Sequence, residues 1–230
     1  MNKSNEPRSL GIIGGLGAGA TVHYYLSIIE NCRARKLVPR MFIAHADVNR
    51  VLAHVGDGEL ADLAQYLAGF ADSLARAGAD IAAIAAITPH ICIAEIQQRS
   101  KLPLVSLLDE TVRDIDARGL RRVALFGTRF TIEGRLFGKL DHIDVVQPRP
   151  EEIDCIHSTY IEIVNAGRGT EEHAAVLRKI ANVLCKRDGV EAIVLAGTEL
   201  ALVFNENNTD FPAIDCARVH IDGIMREMTG

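Results

Sequence analysis

Short apolar segments alternate along the chain with longer segments of helical period. Eight segments are apolar on both faces: "LGIIGG", "MFIAHA", "IAAIAAI", "LPLVSLL", "RVALFG", "IDVVQP", "AIVLAG" and "FPAIDC". Such runs are typical of buried parallel strands. Between them, "GDGELADLAQYLAGFADSLARAGA" and "GTEEHAAVLRKIANVLCKRDG" place apolar residues at i, i+3 and i+4 and end at a glycine, as helices do. The alternation predicts an α/β fold with parallel sheets.

The pattern also repeats at a shift of roughly 110 residues. "GADIAAIAAIT" aligns with "GVEAIVLAGTE", "LPLVSLLDETVRDI" with "FPAIDCARVHIDGI", and "LGIIGGLGAGAT" loosely with "RVALFGTRFT". Chance similarity between apolar strands is the alternative explanation. We interpret the repeat as two similar Rossmann-like halves related by pseudo-two-fold symmetry. The first half is predicted to contain residues 1–109 with the C-terminal helix 215–230, and the second half residues 110–214.

Two such halves suggest where a ligand binds. Ligands of open parallel sheets bind outside the carboxyl ends of the strands, and an interface between domains is a favoured place for a pocket. We therefore expect a cleft between the halves, formed by the loops at 14–21, 86–90, 127–131 and 197–200. These loops share small residues and threonines.

Composition excludes several classes of protein. Hydrophobic residues make up 48% of the 230, which excludes a disordered chain, and the net charge of −5 leaves no basic face for a nucleic acid. The start "MNKSNEPRSL" is polar, and no run reaches the roughly 18 apolar residues of a membrane helix, so we expect no signal peptide and no membrane partner. Five scattered cysteines without a CxxC pair favour a reducing, cytoplasmic location and predict no structural metal site.

The segment "GLGAGA" fits a dinucleotide-binding motif at Gly15, Gly17 and Ala20. That motif requires an acidic residue about 20 residues later, at the end of the second strand. Asp47, which ends that strand here, lies well beyond this distance. We favour a tight glycine turn with no cofactor, in which the backbone at Gly15, Leu16 and Gly17 approaches a small anion such as a carboxylate.

Five segments, in the same order, resemble those of cofactor-independent aspartate/glutamate racemases. They are "GIIGGLGAGATVHYYLSIIE" (usually GGMGP followed by AT), "ITPH" (usually C-N-T-x-H), "GTRFTIEGRLF", "VLAGTEL" (usually G-C-T-E) and "DCARVH". The resemblance implies two α/β halves and racemisation at Cα without pyridoxal phosphate or metal. It also implies two thiols on opposite sides of the substrate, one removing the proton and the other returning one.

The chain departs from this family at the two thiols. Ala86 and Gly197 hold the positions of the cysteines, and Ile87 that of the neighbouring asparagine. Some members bind a side-chain carboxylate of the substrate with an arginine and a lysine. Arg50 corresponds to the arginine, whereas Asn165 holds the lysine position. The ligand then has a single carboxylate or binds its second one differently.

Several polar residues remain as candidates for catalysis and binding, each with a structural alternative. Threonines at strand ends also cap helices, His90 follows a proline at a helix start, and a buried cysteine or histidine is more often packing than catalytic. The catalytic candidates are Glu199, Thr198, Thr88, Cys216 and His220, the last two as a Cys/His pair. The candidates for substrate binding are Gly15, Leu16, Gly17, Arg50, Thr88, His90, Thr128, Thr131, Asn165 and Thr198.

Three hypotheses follow for function. The first is an isomerase- or lyase-type enzyme that acts at Cα of a small amino or carboxylic acid with one non-thiol base. The second is a homologue that binds such an acid, for example a dicarboxylic acid, without turnover. The third is a racemase whose thiol has moved to Cys216 or Cys92. We also expect a homodimer.

Overall fold

The structure is a computed structural model that describes residues 7–205 and 207–230. Most of the polar N-terminal segment, including the first six residues of the predicted first half, therefore lies outside the described residues. The chain divides into two compact units. Unit 1 comprises Met1–Ser106 and His220–Gly230, and unit 2 comprises Leu107–Val219.

Unit 1 is built on a four-stranded parallel sheet. Its strands are β1 (Leu10–Gly14), β2 (Met41–His45), β3 (Ile81–Ile84) and β4 (Leu104–Val105), in the order β2-β1-β3-β4. Its helices include α1 (Ala18–Ala34), α2 (Val48–Gly56), α3 (Leu60–Ala77) and α4 (Ile93–Arg99), with a 3₁₀ helix at Thr88–Cys92.

Unit 2 has a second four-stranded parallel sheet. Its strands are β5 (Arg122–Gly127), β6 (Asp144–Val146), β7 (Ala192–Ala196) and β8 (Ala213–Asp215), in the order β6-β5-β7-β8. The helices are α5 (Leu107–Ala117), α6 (Arg129–Glu133), α7 (Pro150–Ala166) and α8 (Glu171–Asp188), with a 3₁₀ helix at Thr198–Leu202. The last helix, α9 (Cys216–Thr229), begins in unit 2 and continues into unit 1.

The two sheets have the same topology, which confirms the predicted α/β fold with two similar parallel-sheet halves. In each unit the third strand along the chain is followed by a five-residue 3₁₀ helix that begins with a threonine, Thr88 in unit 1 and Thr198 in unit 2. All eight segments predicted to be strands contain one.

Burial agrees best with the apolar runs at the central strands and least at β2. Every residue of β1, β3 and β7 is buried. Residues of β3 and α3 belong to the same hydrophobic core in unit 1. The prediction of a strand buried on both faces is wrong for β2, where Ile43 is 48% exposed. The reason is that β2 lies at the edge of its sheet and pairs with β1 alone.

The two predicted long helices end as their sequences indicate. Gly78 after α3 and Gly189 after α8 adopt the left-handed conformation, with φ of 102° and 66°, which glycine adopts without steric cost. The Thr170 hydroxyl caps α8 by accepting a hydrogen bond from the His173 backbone N–H. Among the described residues, no helix combines the length and apolar character needed to cross a membrane.

Candidate functional site

Parallel pairing brings the carboxyl ends of neighbouring strands to one edge of each sheet. In unit 1, β1 pairs with β2 and β3 in a register that sets Gly14 opposite His45 and Ile13 opposite Ile84. In unit 2, Gly127 at the end of β5 is set opposite Ala196 at the end of β7. The turns that carry the predicted site residues therefore lie together within each unit.

The glycine turn after β1 is fixed by its own backbone. The Gly15 N–H donates to the Thr21 hydroxyl at 3.1 Å, and that hydroxyl donates to the Gly17 carbonyl at 2.9 Å. Gly15 has φ of +83°, and a Cβ there would lie 2.6 Å from the Ala46 carbonyl oxygen. Leu16, between the glycines, is buried. The turn needs glycine both for its conformation and for the close approach of the chain after β2.

The polar residues after β2 are engaged in hydrogen bonds and a cation–π contact within unit 1. The Asp47 carboxylate caps α2 by accepting from the Asn49 N–H at 2.9 Å. The Arg50 guanidinium lies 4.2 Å from the centre of the Tyr66 ring, and its Nε donates to His54 Nε2 at 3.4 Å. Arg50 is exposed on α2. Its predicted contact with a second carboxylate stays a prediction.

The turn after β3 carries Ala86, the residue predicted to hold a cysteine position of the racemases. The Ala86 carbonyl lies 2.9 Å from His90 Nδ1, and a carbonyl only accepts, so His90 carries its proton on Nδ1 in this bond. Ala86 and His90 are both buried, whereas Thr88 is partly exposed. Within residues 7–205 and 207–230, the Thr88 hydroxyl forms no hydrogen bond with another side chain.

His220 completes a buried polar cluster in unit 1. Its Nε2 donates to the Val105 carbonyl at 2.9 Å, so its Nδ1 accepts from the Tyr24 hydroxyl, also at 2.9 Å. The His220 ring meets that of His90 edge-on at 5.9 Å. Burial, and to a smaller degree the neighbouring His90, lower the pKa of His220 to about 3. Both of its nitrogens are engaged within unit 1, so His220 is a neutral core histidine. Its predicted pairing with Cys216 stays a prediction.

The two thiols proposed as relocated bases are also buried. Burial raises the pKa of Cys216 to about 12, although its thiol is hydrogen-bonded to the Thr111 side chain. Burial likewise raises the pKa of Cys92 to about 12, and its thiol donates to the Pro89 carbonyl at 3.5 Å. Because the thiolate is the reactive form, these surroundings disfavour both residues as bases at neutral pH.

In unit 2, the threonines after β5 act as a helix cap. The Thr128 hydroxyl accepts from the Thr131 N–H at 3.1 Å and lies 3.0 Å from the Thr131 hydroxyl. Thr131 is fully buried. Thr128 therefore caps α6, and the predicted role of both threonines in substrate binding stays a prediction. Asn165, the third such candidate in this unit, is exposed in the last turn of α7.

The turn after β7 contains a buried carboxyl group. Glu199 is 2% exposed, and its Oε2 accepts from the Tyr160 hydroxyl at 2.6 Å and from the Thr198 hydroxyl at 3.2 Å. Burial raises the pKa of Glu199, and the hydrogen bond from Tyr160 acts in the opposite direction. Burial also raises the pKa of Tyr160 well above its ordinary value, and the charge of Glu199 adds to that shift.

Tyr160 also explains why residue 197 is a glycine. A Cβ on Gly197 would lie 2.5 Å from Tyr160 Cε2 and 2.7 Å from Cζ. The φ of Gly197, −158°, is extended backbone open to any residue, so it is space and not conformation that requires glycine. Sequence reasoning missed Tyr160, because a tyrosine within an amphipathic helix carries no signal of the glycine that it contacts.

The chemistry offered by these turns is that of hydroxyl, imidazole and carboxyl groups. In the part of the chain that the structure describes, no group of three or more His, Cys, Asp or Glu side chains is arranged to hold a metal ion. The candidate groups of unit 1 are Thr88 and His90. Those of unit 2 are Thr198, Glu199 and Tyr160.

The sequence matches the family described as Asp/Glu/Hydantoin racemase over residues 13–224. The chain belongs to this family. A proposed Asp/Glu racemase from Yersinia pestis is 25% identical, with a TM-score of 0.80 over 96% of this chain and 99% of that one. An aspartate racemase homologue from Pyrococcus horikoshii OT3 is 27% identical, with a TM-score of 0.79 over 97% and 100%. An aspartate racemase from Picrophilus torridus, 23% identical with a TM-score of 0.68 over 95% and 94%, shares the fold.

Membership of the racemase family gives meaning to the residues at the strand ends. The turns after β3 and β7 are where the sequence resembles C-N-T-x-H and G-C-T-E. Here the first contains an alanine whose carbonyl binds His90, and the second a glycine packed against Tyr160. At these turns the chain carries Thr88, Thr198 and Glu199, and neither Ala86 nor Gly197 has a thiol.

Proposed function

We propose that the protein binds a small amino or carboxylic acid at the carboxyl ends of its strands and catalyses proton transfer at Cα with one non-thiol base. Membership of the racemase family supports an isomerase-type reaction. The observation that carries the finer proposal is Glu199, a buried carboxyl group held by Tyr160 and Thr198 directly after β7. No cofactor enters the proposal.

The reaction that we propose is a reversible proton transfer. Ionised Glu199 takes the proton from Cα: the C–H bond breaks, an O–H bond forms on the carboxyl group, and the electron pair stays on Cα, delocalised into the ligand carboxylate. Backbone N–H and hydroxyl groups around the ligand are the proposed donors to that carboxylate. Glu199 then returns a proton, from solvent exchange, to the same face of Cα.

A ligand with one carboxylate is favoured over a dicarboxylate. Arg50 is stacked on Tyr66, and Asn165, which stands at the lysine position of the resemblance, is an exposed amide without charge. Asn165 therefore offers no charge-assisted bond to a second carboxylate, a contact worth about 1.5–3 kcal/mol.

The test is an exchange experiment. Amino acids and small carboxylic acids are incubated with the protein in deuterium oxide, and the Cα–H signal is followed by proton NMR. We expect loss of that signal for a subset of ligands without formation of the opposite enantiomer. Glu199→Gln is the matched variant and should abolish exchange while retaining the fold. Racemisation by the wild-type protein, or exchange by the variant, would contradict the one-base proposal.

A second candidate function is binding without turnover. It is favoured by the burial of the two candidate bases, since Glu199 is 2% and His90 1% exposed, and each is hydrogen-bonded within its own unit. In this case the same acids raise the melting temperature of the protein, while no Cα–H signal decays in deuterium oxide.

Location and assembly are also proposals. All five cysteines are free, which supports a reducing, cytoplasmic environment. The apolar side chains of Val22, Tyr25 and Leu26 are exposed on α1, which supports the expected homodimer. Light scattering coupled to gel filtration would measure the mass of the particle in solution.

A further inference from the structure

The geometry around Gly197 assigns a role to Tyr160 that no sequence motif suggests. Tyr160 lies within α7 and is 5% exposed. Its ring occupies the space into which any side chain at residue 197 would extend, and its hydroxyl lies 2.6 Å from Glu199 Oε2. The same tyrosine thus contacts both residues on either side of Thr198.

We propose that Tyr160 is a positioning residue that takes the place of the side chain missing at residue 197 and controls the orientation and protonation of Glu199. This inference rests on the proposed function, in which Glu199 is the base. Glycine at residue 197 leaves room for the Tyr160 ring. The position of the ring fixes the position of its hydroxyl, and the hydroxyl holds one carboxyl oxygen of Glu199. A larger residue at 197 would break this chain of contacts at its first step.

Few of the described side chains are placed to affect the orientation and protonation of Glu199. Among the described residues, the side chains hydrogen-bonded to Glu199 are Tyr160 from α7 and its neighbour Thr198, and no charged side chain pairs with it. Tyr160 is the titratable one of the two, and its hydrogen bond favours the ionised form of Glu199 against the effect of burial. Removing the hydroxyl should therefore make Glu199 harder to ionise.

The first test measures Glu199 directly and needs no activity. The protein is labelled with ¹³C at the glutamate carboxyl carbon, the Glu199 signal is assigned by its loss in Glu199→Gln, and its titration is followed by NMR. In Tyr160→Phe, which keeps the ring, we expect the midpoint to move to higher pH. Gly197→Ala should move it in the same direction, because the added Cβ displaces the ring. An unchanged midpoint in Tyr160→Phe would overturn the proposal.

The matched control is Tyr24→Phe. Tyr24 is a fully buried tyrosine of unit 1 whose hydroxyl donates to a histidine, so its loss removes a buried phenolic hydrogen bond elsewhere. This variant should leave the Glu199 midpoint where it is in the wild type. A similar shift in both variants would show a general loss of structure and would contradict the specific role of Tyr160.

The second test uses the exchange reaction. In Tyr160→Phe the acidic limb of the rate profile should move to higher pH, with a rate lowered about tenfold on that limb and less affected at high pH. A uniform fall at all pH values would indicate a merely structural role and would overturn the proposal. If the wild-type protein shows no exchange, the proposed function fails, while the NMR titration still decides whether Tyr160 controls Glu199.

Discussion

The turns after β3 and β7 occupy equivalent places in two sheets of the same topology, yet they hold their polar groups differently. In unit 1, the turn carries His90, bonded to a backbone carbonyl and packed against the neutral His220. In unit 2, it carries Glu199, bonded to the hydroxyl of Tyr160. A base is buried in one unit and an acid in the other.

The difference teaches which parts of a duplicated fold are constrained. Strand order and a 3₁₀ helix that begins with a threonine are common to both units. The polar group of each turn contacts a different element: His90 meets the His220 ring of α9 in unit 1, and Glu199 bonds to Tyr160 of α7 in unit 2. Chemistry diverges where the supporting helix differs.

The largest expected difference between the two units is a loss of stability at low pH through His220 of unit 1. His220 is neutral in the folded state, with a pKa of about 3 against 6.5 when unfolded, so its contribution to stability is present above pH 6.5 and is lost as the pH falls toward 3. Over this range the loss is up to about 5 kcal/mol. Urea unfolding at a series of pH values in this range should show that the free energy of unfolding depends less steeply on pH in His220→Gln than in the wild type. The exposed His142→Gln is the control, and an equal slope in wild type and His220→Gln would contradict the assignment.

The next effect compares restored thiols in the two turns. Gly197→Cys should lower the free energy of unfolding by about 1–3 kcal/mol, because its Cβ enters the space of the Tyr160 ring. Ala86→Cys should cost less, since residue 86 already carries a Cβ. Chemical denaturation of both variants measures the difference. Equal costs would show that the ring of Tyr160 moves aside freely.

A third effect has the opposite sign to that of His220. Burial raises the folded pKa of Glu199 above its unfolded value of 4.5, so its contribution to stability is present below that value and is lost as the pH rises through the folded pKa. Glu199→Gln, which does not titrate, should therefore become more stable relative to wild type as the pH rises. Thermal unfolding at a series of pH values would measure this trend, and a constant difference would refute it.

The smallest effects concern the equivalent threonines. Thr198 is buried and donates to Glu199, so Thr198→Val should cost about 1 kcal/mol. Thr88 is partly exposed, and Thr88→Val should change stability by no more than about 0.5 kcal/mol. If Thr88 binds the ligand carboxylate, its variant loses affinity in a thermal-shift titration although its stability is unchanged. Equal stability losses would remove the distinction between the two turns.

The sequence was most informative where structure follows from local pattern. Apolar runs located all eight strands, and glycine located the ends of α3 and α8. The exposure of β2 was not predictable from its own residues, because a strand lies at the edge of a sheet through the absence of a second neighbour.

The site was less predictable because its contacts join residues far apart in the chain. Gly197 was interpreted as holding the position of a family cysteine. The tyrosine whose ring fills the space beside it lies 39 residues from Glu199, in a helix with no motif. Thr128 and Thr131 were predicted to bind substrate. In the structure the Thr128 hydroxyl caps α6 and bonds to the Thr131 hydroxyl, a local arrangement that the sequence left open. Hydroxyl side chains at strand ends serve both purposes, and only tertiary structure separates them.

The division of the chain inside α9 has a consequence for synthesis on the ribosome. Unit 2 is one continuous segment, whereas unit 1 needs His220–Gly230, which are made after unit 2. The bond between Tyr24 and His220 spans 196 residues, so it forms only after unit 2 has been translated in full. Unit 1 therefore completes its folding after unit 2, although β1 is made before unit 2. A chain that stops short of His220 leaves the Tyr24 hydroxyl and the Val105 carbonyl without the histidine that bonds to both.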